Sequence, residues 1–286
     1  MGKLENYLSN SFKYVFSDTK KGLIGGLLSS ISGAIGAVFG IIFSIFLIHY
    51  INPNEVIWVD YNFLLSSLSV ASFGFLIALI VGFIIDGYYV RVMKTTVENY
   101  NILPDWDNIV DLLKRGFVYF VGEIILSIIF AIIPVLFIVL GMFLMALSGI
   151  LGAIFMGFGF LLLFILIIAY LIYKGLAEVN YSIKGFSGFF EFREIFRMIN
   201  LDYIILIIVV GVIVMIVNFI VQLPLILLKI FALPPVKYST FSSLEMIVDV
   251  ISAIVSAFVG FYTAVFEKRA IALFYKDRIK ELENKN

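Results

Sequence analysis

The sequence contains no cysteine and a single histidine, His49. These shortages exclude disulfides, thiolate metal sites, a cysteine nucleophile and most histidine-based metal clusters. Charge is scarce as well: 14% of the 286 residues are Asp, Glu, Lys or Arg and 62% are hydrophobic, whereas a soluble domain is roughly half apolar and a quarter charged. Lys plus Arg and Asp plus Glu each number 20, so net charge points to no nucleic acid and to no general anionic surface. The G-x-x-x-x-G-K-[ST] phosphate loop is also missing, which removes an intrinsic ATP motor.

Long apolar runs are present instead. A helix needs roughly 20 apolar residues to cross a hydrocarbon core, because lipid forces every backbone hydrogen bond to be internal. Five runs reach that length: Leu23 to Ile48, Phe63 to Ile85, Phe117 to Tyr173, Tyr203 to Leu228 and Met246 to Phe266. The third is too long for one crossing, and Gly141, Ser148, Gly149 and Gly152 offer a turn near its middle. The expected fold is therefore all-α: a polytopic transmembrane bundle of six spans near 23–49, 63–86, 117–140, 150–173, 203–228 and 246–266, forming a single integral membrane domain over 1–286. The first run follows Lys20 and Lys21 and lacks a small-residue cleavage site after it, so it reads as a retained span. Counted by segment, eighteen of the twenty Lys and Arg fall on one side of such a bundle and only Lys229 and Lys237 on the other. Positive charge marks the cytoplasmic side. The expectation is a multi-pass protein of the cell membrane with both termini cytoplasmic, and with Trp58, Tyr61 and Tyr238 near the outer interface.

Three odd-numbered spans are preceded by an aromatic residue with apolar residues three and four positions later: Phe12, Val15 and Phe16; Trp106, Ile109 and Val110; Phe192, Ile195 and Phe196. Leu113 and Ile199 extend the last two patterns by another turn. That spacing places the apolar residues on one helix face, which predicts short amphipathic interfacial helices near 4–19, 106–115 and 190–200. Each aromatic stands ten residues before the residue that leads into its span, Gly22, Gly116 or Asp202, and this regularity reads as a threefold repeat with units 4–100, 104–184 and 189–278, each an interfacial helix plus a two-span hairpin. The first span also carries Ser29, Ser32, Gly33, Gly36 and Gly40, small residues that permit close helix approach.

Catalytic strings fail on inspection. Asp86, Gly87 and Arg91 spell D-G-x-x-x-R, the opening of a metal-dependent phosphotransferase signature, but Tyr100, Pro104 and Asn108 stand where a Gly and two metal-binding Asp must follow. Gly185 to Gly188 match a G-x-S-G protease string, yet His49 lies at the opposite end of its span and cannot serve Ser187 as a base. Ionisable groups inside spans are costly and so are functional candidates. Glu123, Asp249 and Asp86 qualify, with Asn218 and Gln222 adding polarity one turn apart in the fifth span.

The string Gly87-Tyr88-Tyr89-Val90-Arg91, the stretch Leu103-Pro104-Asp105-Trp106-Asp107 running on to Gly116, and Phe190-Glu191-Phe192-Arg193-Glu194-Ile195 together resemble a prokaryotic membrane family designated domain of unknown function 4013. The resemblance implies a multispan membrane protein and no activity, and it carries over no catalytic residue. Read physically, Pro104 fixes the chain ahead of Asp105, which is expected to cap a helix starting near Trp106.

These features lead to the expectation of a non-enzymatic protein without cofactor that organises membrane lipids or partner membrane proteins, including a second copy of itself, at the cytoplasmic face. A small-solute transporter or channel is the alternative and a lipid-modifying enzyme the third reading. Because the chain has no cysteine, its topology is directly testable. Single cysteines at Asn54 or Ser239 should react with an impermeant maleimide on intact cells, and cysteines at Ser187 or Asn284 should not; external labelling of Ser187→Cys overturns the orientation.

Overall fold

The computed structural model describes residues 2–51, 61–232 and 243–284. Its elements are α1 (Lys3–Val15), α2 (Thr19–Ile51), α3 (Tyr61–Val97), α4 (Ile109–Met145), α5 (Gly149–Lys184), a 3-10 turn (Phe186–Phe190), α6 (Phe192–Met198), α7 (Leu201–Ala232) and α8 (Ser243–Glu283). Six of these, α2, α3, α4, α5, α7 and α8, are long and apolar enough to cross a membrane. The chain is an all-α multi-pass membrane protein. Trp58, Lys237 and Tyr238 lie outside the described residues, as do the side chains of His49 and Tyr61.

Helices α3, α5 and α8 run well past the ends of their apolar runs, to Val97, Lys184 and Glu283. Neither Pro nor Gly interrupts those extensions except Gly87 and Gly175, and the extensions pack on one another at the end of the bundle where both termini lie, the basic end. Tyr88, Val92, Met93, Leu176, Val179, Ala272 and Tyr275 are all fully buried there, a core like that of a water-soluble protein. Toward the other end the packing thins. Along α4 and α5 between Leu126 and Tyr173, the buried residues are Pro134, Gly141, Gly152 and Gly159. The three glycines lie where the two helices touch: a Cβ on Gly141 would stand 2.7 Å from the Met156 nitrogen. The chain reverses over 146–148, and Ser148 caps α5 by accepting a hydrogen bond from the Leu151 N–H at 3.4 Å. The outer sides of this hairpin, rich in exposed Ile, Leu and Phe, suit lipid.

In lateral order, α7 packs on α8, α8 on α2, α2 on α3, α3 on α4 and α4 on α5, with α8 also reaching α3, α5 and α1. In the first span, Gly33 meets Ala257 and the Ala253 carbonyl of α8, whereas Gly36 and Gly40 face open space. The tightest crossing is α3 against α4. A Cβ on Gly87 would stand 1.9 Å from the Leu112 carbonyl oxygen and one on Gly116 would stand 1.7 Å from that of Phe83, so backbone meets backbone and no side chain fits.

Of the segments before the odd-numbered spans, the first and third contain short helices near the expected ranges, α1 and α6, and the second does not. The first is α1, whose Val15 is buried while Phe12 and Phe16 are exposed. The second is not a separate helix. Trp106 precedes α4 in an irregular stretch, its ring stacked on Tyr88 at 3.8 Å and 3° and its Nε1–H donated to the Lys21 carbonyl at 2.9 Å. The half-buried indole is held by this stacking and hydrogen bond, and α4 begins only at Ile109 and continues unbroken into the span. Asn108, not Asp105, is the cap: it sits at φ 49°, and its side chain accepts from the Asp111 N–H at 3.3 Å. Ile109 and Val110 are exposed, on a different side from Trp106, and Leu113 is half-buried. Arg91 clamps this stretch from α3, donating to the Asp105 carbonyl at 2.8 Å and pairing with Asp107 and Asp111. The third segment splits into the 3-10 turn and the seven-residue α6. Ile195 points fully inward, Phe192 stacks on Tyr173 at 5.1 Å and Phe196 is half-exposed.

Two predictions arise here. Gly116→Ala should destabilise the detergent-solubilised protein by about 1–3 kcal/mol through overpacking, while Gly82→Ala, with nothing within 4 Å of its added Cβ, should be neutral; equal melting temperatures for both variants contradict the crossing. Glu191 accepts from Lys184 at 2.5 Å and from Asn180 at 2.8 Å, and these bonds hold its carboxyl below the usual carboxylate value. Its contribution is therefore complete above the ordinary glutamate pKa and is lost as pH falls through the depressed one. Amide exchange over 186–198 should accelerate on acidification, and Glu191→Gln should remove that dependence.

Candidate functional site

The expected polar residues separate into two groups. Gln222 and Asp249 zip α7 to α8 in the thinly packed half: Gln222 donates to the Ser252 carbonyl at 3.1 Å, accepts from the Ser252 hydroxyl at 2.6 Å and bonds Ser256. Asp249 pairs with Lys229. Asn218 donates to the Val214 carbonyl of its own helix at 2.8 Å. Glu123 and Asp86 belong elsewhere, to a cavity of about 770 Å³ near the basic end.

Five helices build that cavity. Its floor carries Asp86 from α3, Glu123 and Tyr119 from α4, Lys174 and Glu178 from α5, and Glu267 and Lys268 from α8. Glu178 is the centre of the charge network. Its side chain is 1% exposed, Lys268 pairs with one of its oxygens, and Lys174 lies 3.5 Å from the other. Lys174 is shared with Glu123 at 2.7 Å. Each ammonium is thus placed by helical spacing: Lys174 stands one turn before Glu178 on α5, and Lys268 comes across from α8. Taking such charges out of water costs several kcal/mol per ion unless each finds close partners, and this cluster supplies them.

The walls are hydrocarbon. Ile168, Leu171 and Ile172 from α5 face Ile204, Ile207 and Ile208 from α7. Among the described residues α5 and α7 make no extended contact, and Ile168, Leu171 and Ile208 along the cavity's rim are exposed. The cavity therefore opens sideways, between two membrane-spanning helices. Tyr203 lines it, fully buried, and its hydroxyl makes no well-formed hydrogen bond. Gly211 leaves open space beside α7.

Lys174, Glu178, Glu267 and Lys268 were not among the sequence candidates. Lys174 and Lys268 fell in segments read as loop and tail because hydropathy drops at Tyr173 and Phe266. The signal that finds them is helical continuity: Lys174 and Glu178 are four residues apart with no breaker before Gly185. No group of three or more His, Cys, Asp and Glu side chains suited to a metal ion occurs among the described residues.

No solved structure matches the chain. An uncharacterized protein of Methanocaldococcus jannaschii is 72% identical over 283 residues, which cover 99% of this chain and 100% of the relative. A second uncharacterized protein of the same organism is 44% identical over 283 residues, covering 97% of this chain and 99% of that relative. A family model matches residues 70–230, the stretch that holds the α3–α4 crossing, the Trp106 loop and, of the five helices lining the cavity, the whole of α4 and α5. With that match and those relatives, the chain belongs to the DUF4013 family, described as proteins of unknown function.

Proposed function

We propose that this chain is a non-enzymatic membrane protein that binds a membrane amphiphile in the α5–α7 cavity, the hydrocarbon chain lying between the two helices and the polar group on the charged floor. One observation carries the reading: a floor of acidic and basic side chains and aliphatic walls share a single cavity that opens between two spans. A water-soluble solute has no use for such walls, and a pure hydrocarbon has none for the floor. The volume, about 770 Å³, falls within the roughly 300–1,000 Å³ of pockets that enclose small ligands. On the positive-inside rule the basic end faces the cytoplasm, so the ligand's polar group sits in the cytoplasmic half of the membrane. The organising role expected of the protein thus moves from the surface segments to this cavity, since Trp106 and Ile195 are occupied inside the fold.

Small-solute transport is the second reading. It is favoured by the Gln222, Ser252 and Ser256 cluster and the Lys229–Asp249 pair, which carry polar groups along α7 and α8 toward the other end. Flux in proteoliposomes that falls with Gln222→Leu would favour it over binding alone.

The binding reading has a direct test. Gly211→Leu fills the cavity from a position with no atom within 4 Å of the new Cβ, so the variant should fold normally. Native mass spectrometry of protein extracted from its membranes should find an amphiphile on the wild type and less than about a tenth of that occupancy on the variant, a discrimination of over 1.4 kcal/mol. Equal occupancy on both proteins overturns the site.

A further inference from the structure

The charges on the cavity floor do not balance. Four carboxylates, Asp86, Glu123, Glu178 and Glu267, face two ammonium groups, Lys174 and Lys268. Both lysines are already engaged by Glu178 and Glu123. Asp86 and Glu267 have no ammonium or guanidinium within ion-pair distance among the described residues, yet both line the same space and both are only partly accessible. Tyr203 lines the same cavity with its aromatic ring, its buried hydroxyl lying against Gly175 of α5 without a well-formed hydrogen bond.

A formal excess of two negative charges in a space walled by hydrocarbon asks for a cationic occupant, because an unpaired carboxylate away from water is costly. The aromatic lining adds to this, since ring faces attract ammonium groups. An anionic headgroup meets the opposite conditions: Lys174 and Lys268 are not free to receive it. From this geometry we infer that the polar group held on the cavity floor is an ammonium, with Asp86 and Glu267 as its counter-charges. The inference rests on the amphiphile reading and sharpens it. The ammonium belongs either to a membrane lipid or to a free organic amine, and both bring the same chemistry to the floor.

Photo-crosslinking in nanodiscs distinguishes these cases. Three diazirine probes with one alkyl chain and a trimethylammonium, hydroxyl or carboxylate head are applied to the full-length protein, and labelled residues are read by mass spectrometry. The trimethylammonium probe should label the α5 and α7 walls, Ile172 and Ile207 among them, at least about tenfold more than the carboxylate probe. Asp86→Asn combined with Glu267→Gln should bring that ratio to about one while hydroxyl-probe labelling persists, which shows that the cavity survives the substitutions. If the double variant fails to fold, each single variant should lower the ratio. Protection by water-borne tetramethylammonium assigns the ammonium to a free amine, and protection only by an amine-headed lipid assigns it to the membrane. Wall labelling independent of the head overturns the ammonium and leaves amphiphile binding standing. No wall labelling by any probe overturns both.

Discussion

Glu178 sits on α5 with 1% of its side chain exposed, held between Lys268 of α8 and Lys174 of its own helix, and Lys174 is shared in turn with Glu123 of α4. Three helices therefore meet through four charges in a place poor in water. Withdrawing Glu178 leaves the buried Lys268 without an ion pair among the described residues, at a cost of roughly 3–5 kcal/mol for a buried pair broken from one side. That constraint sets α5 at a fixed height against α8 and α4. Helix α7 is fastened to α8 instead and makes no extended contact with α5 among the described residues. The space between them is the cavity, so the network that holds the basic end together also borders the opening between α5 and α7.

Around this network the basic end is built with little tolerance. The α3–α4 crossing brings backbone onto backbone at Gly87 and Gly116. Arg269, 2% exposed, donates to the Thr96 hydroxyl at 2.9 Å, the Tyr100 carbonyl at 2.6 Å and the Asn101 side chain at 2.7 Å, and lies 4.1 Å from the centre of the Tyr14 ring. One guanidinium thus ties α8 to α1, to α3 and to the loop ahead of Trp106. The strings that resemble the family are explained by the same economy: Tyr88, Arg91, Leu103, Pro104, Trp106 and Asp107 all serve to fold one loop against α3 and the start of α2. The far half, by contrast, relies on helix pairs and on surrounding lipid.

Much of this was legible in the amino acids. Six spans, the helical class, the turn in the long third run and the clustering of basic residues at one end all follow from hydropathy and charge counted along the chain. The cost of placing a carboxylate in a span marks Glu123 and Asp86 in the sequence as polar residues of the spans, and the structure puts both beside the α5–α7 cavity. The periodicity around Trp106 misled, because an apolar residue at helical spacing looks the same whether it faces lipid from a helix or folds back as a loop onto a tyrosine eighteen residues earlier. Asp249 and Gln222 were legible as polar but not as partners for Lys229, Ser252 and Ser256 on the neighbouring helix.

The sequence by itself determined that the chain crosses a membrane, how often, and where its charge is scarce, since the transfer of residues from water to hydrocarbon is a local, additive property of each segment. Only the tertiary structure decided that Lys174, Glu178, Glu267 and Lys268 belong inside with Glu123 and Asp86 rather than in a loop and a tail. Their burial depends on helices continuing past the apolar runs and on α8 returning to α5 from ninety residues away in the chain. Hydropathy along one segment contains no information about which charge from another segment will neutralise it.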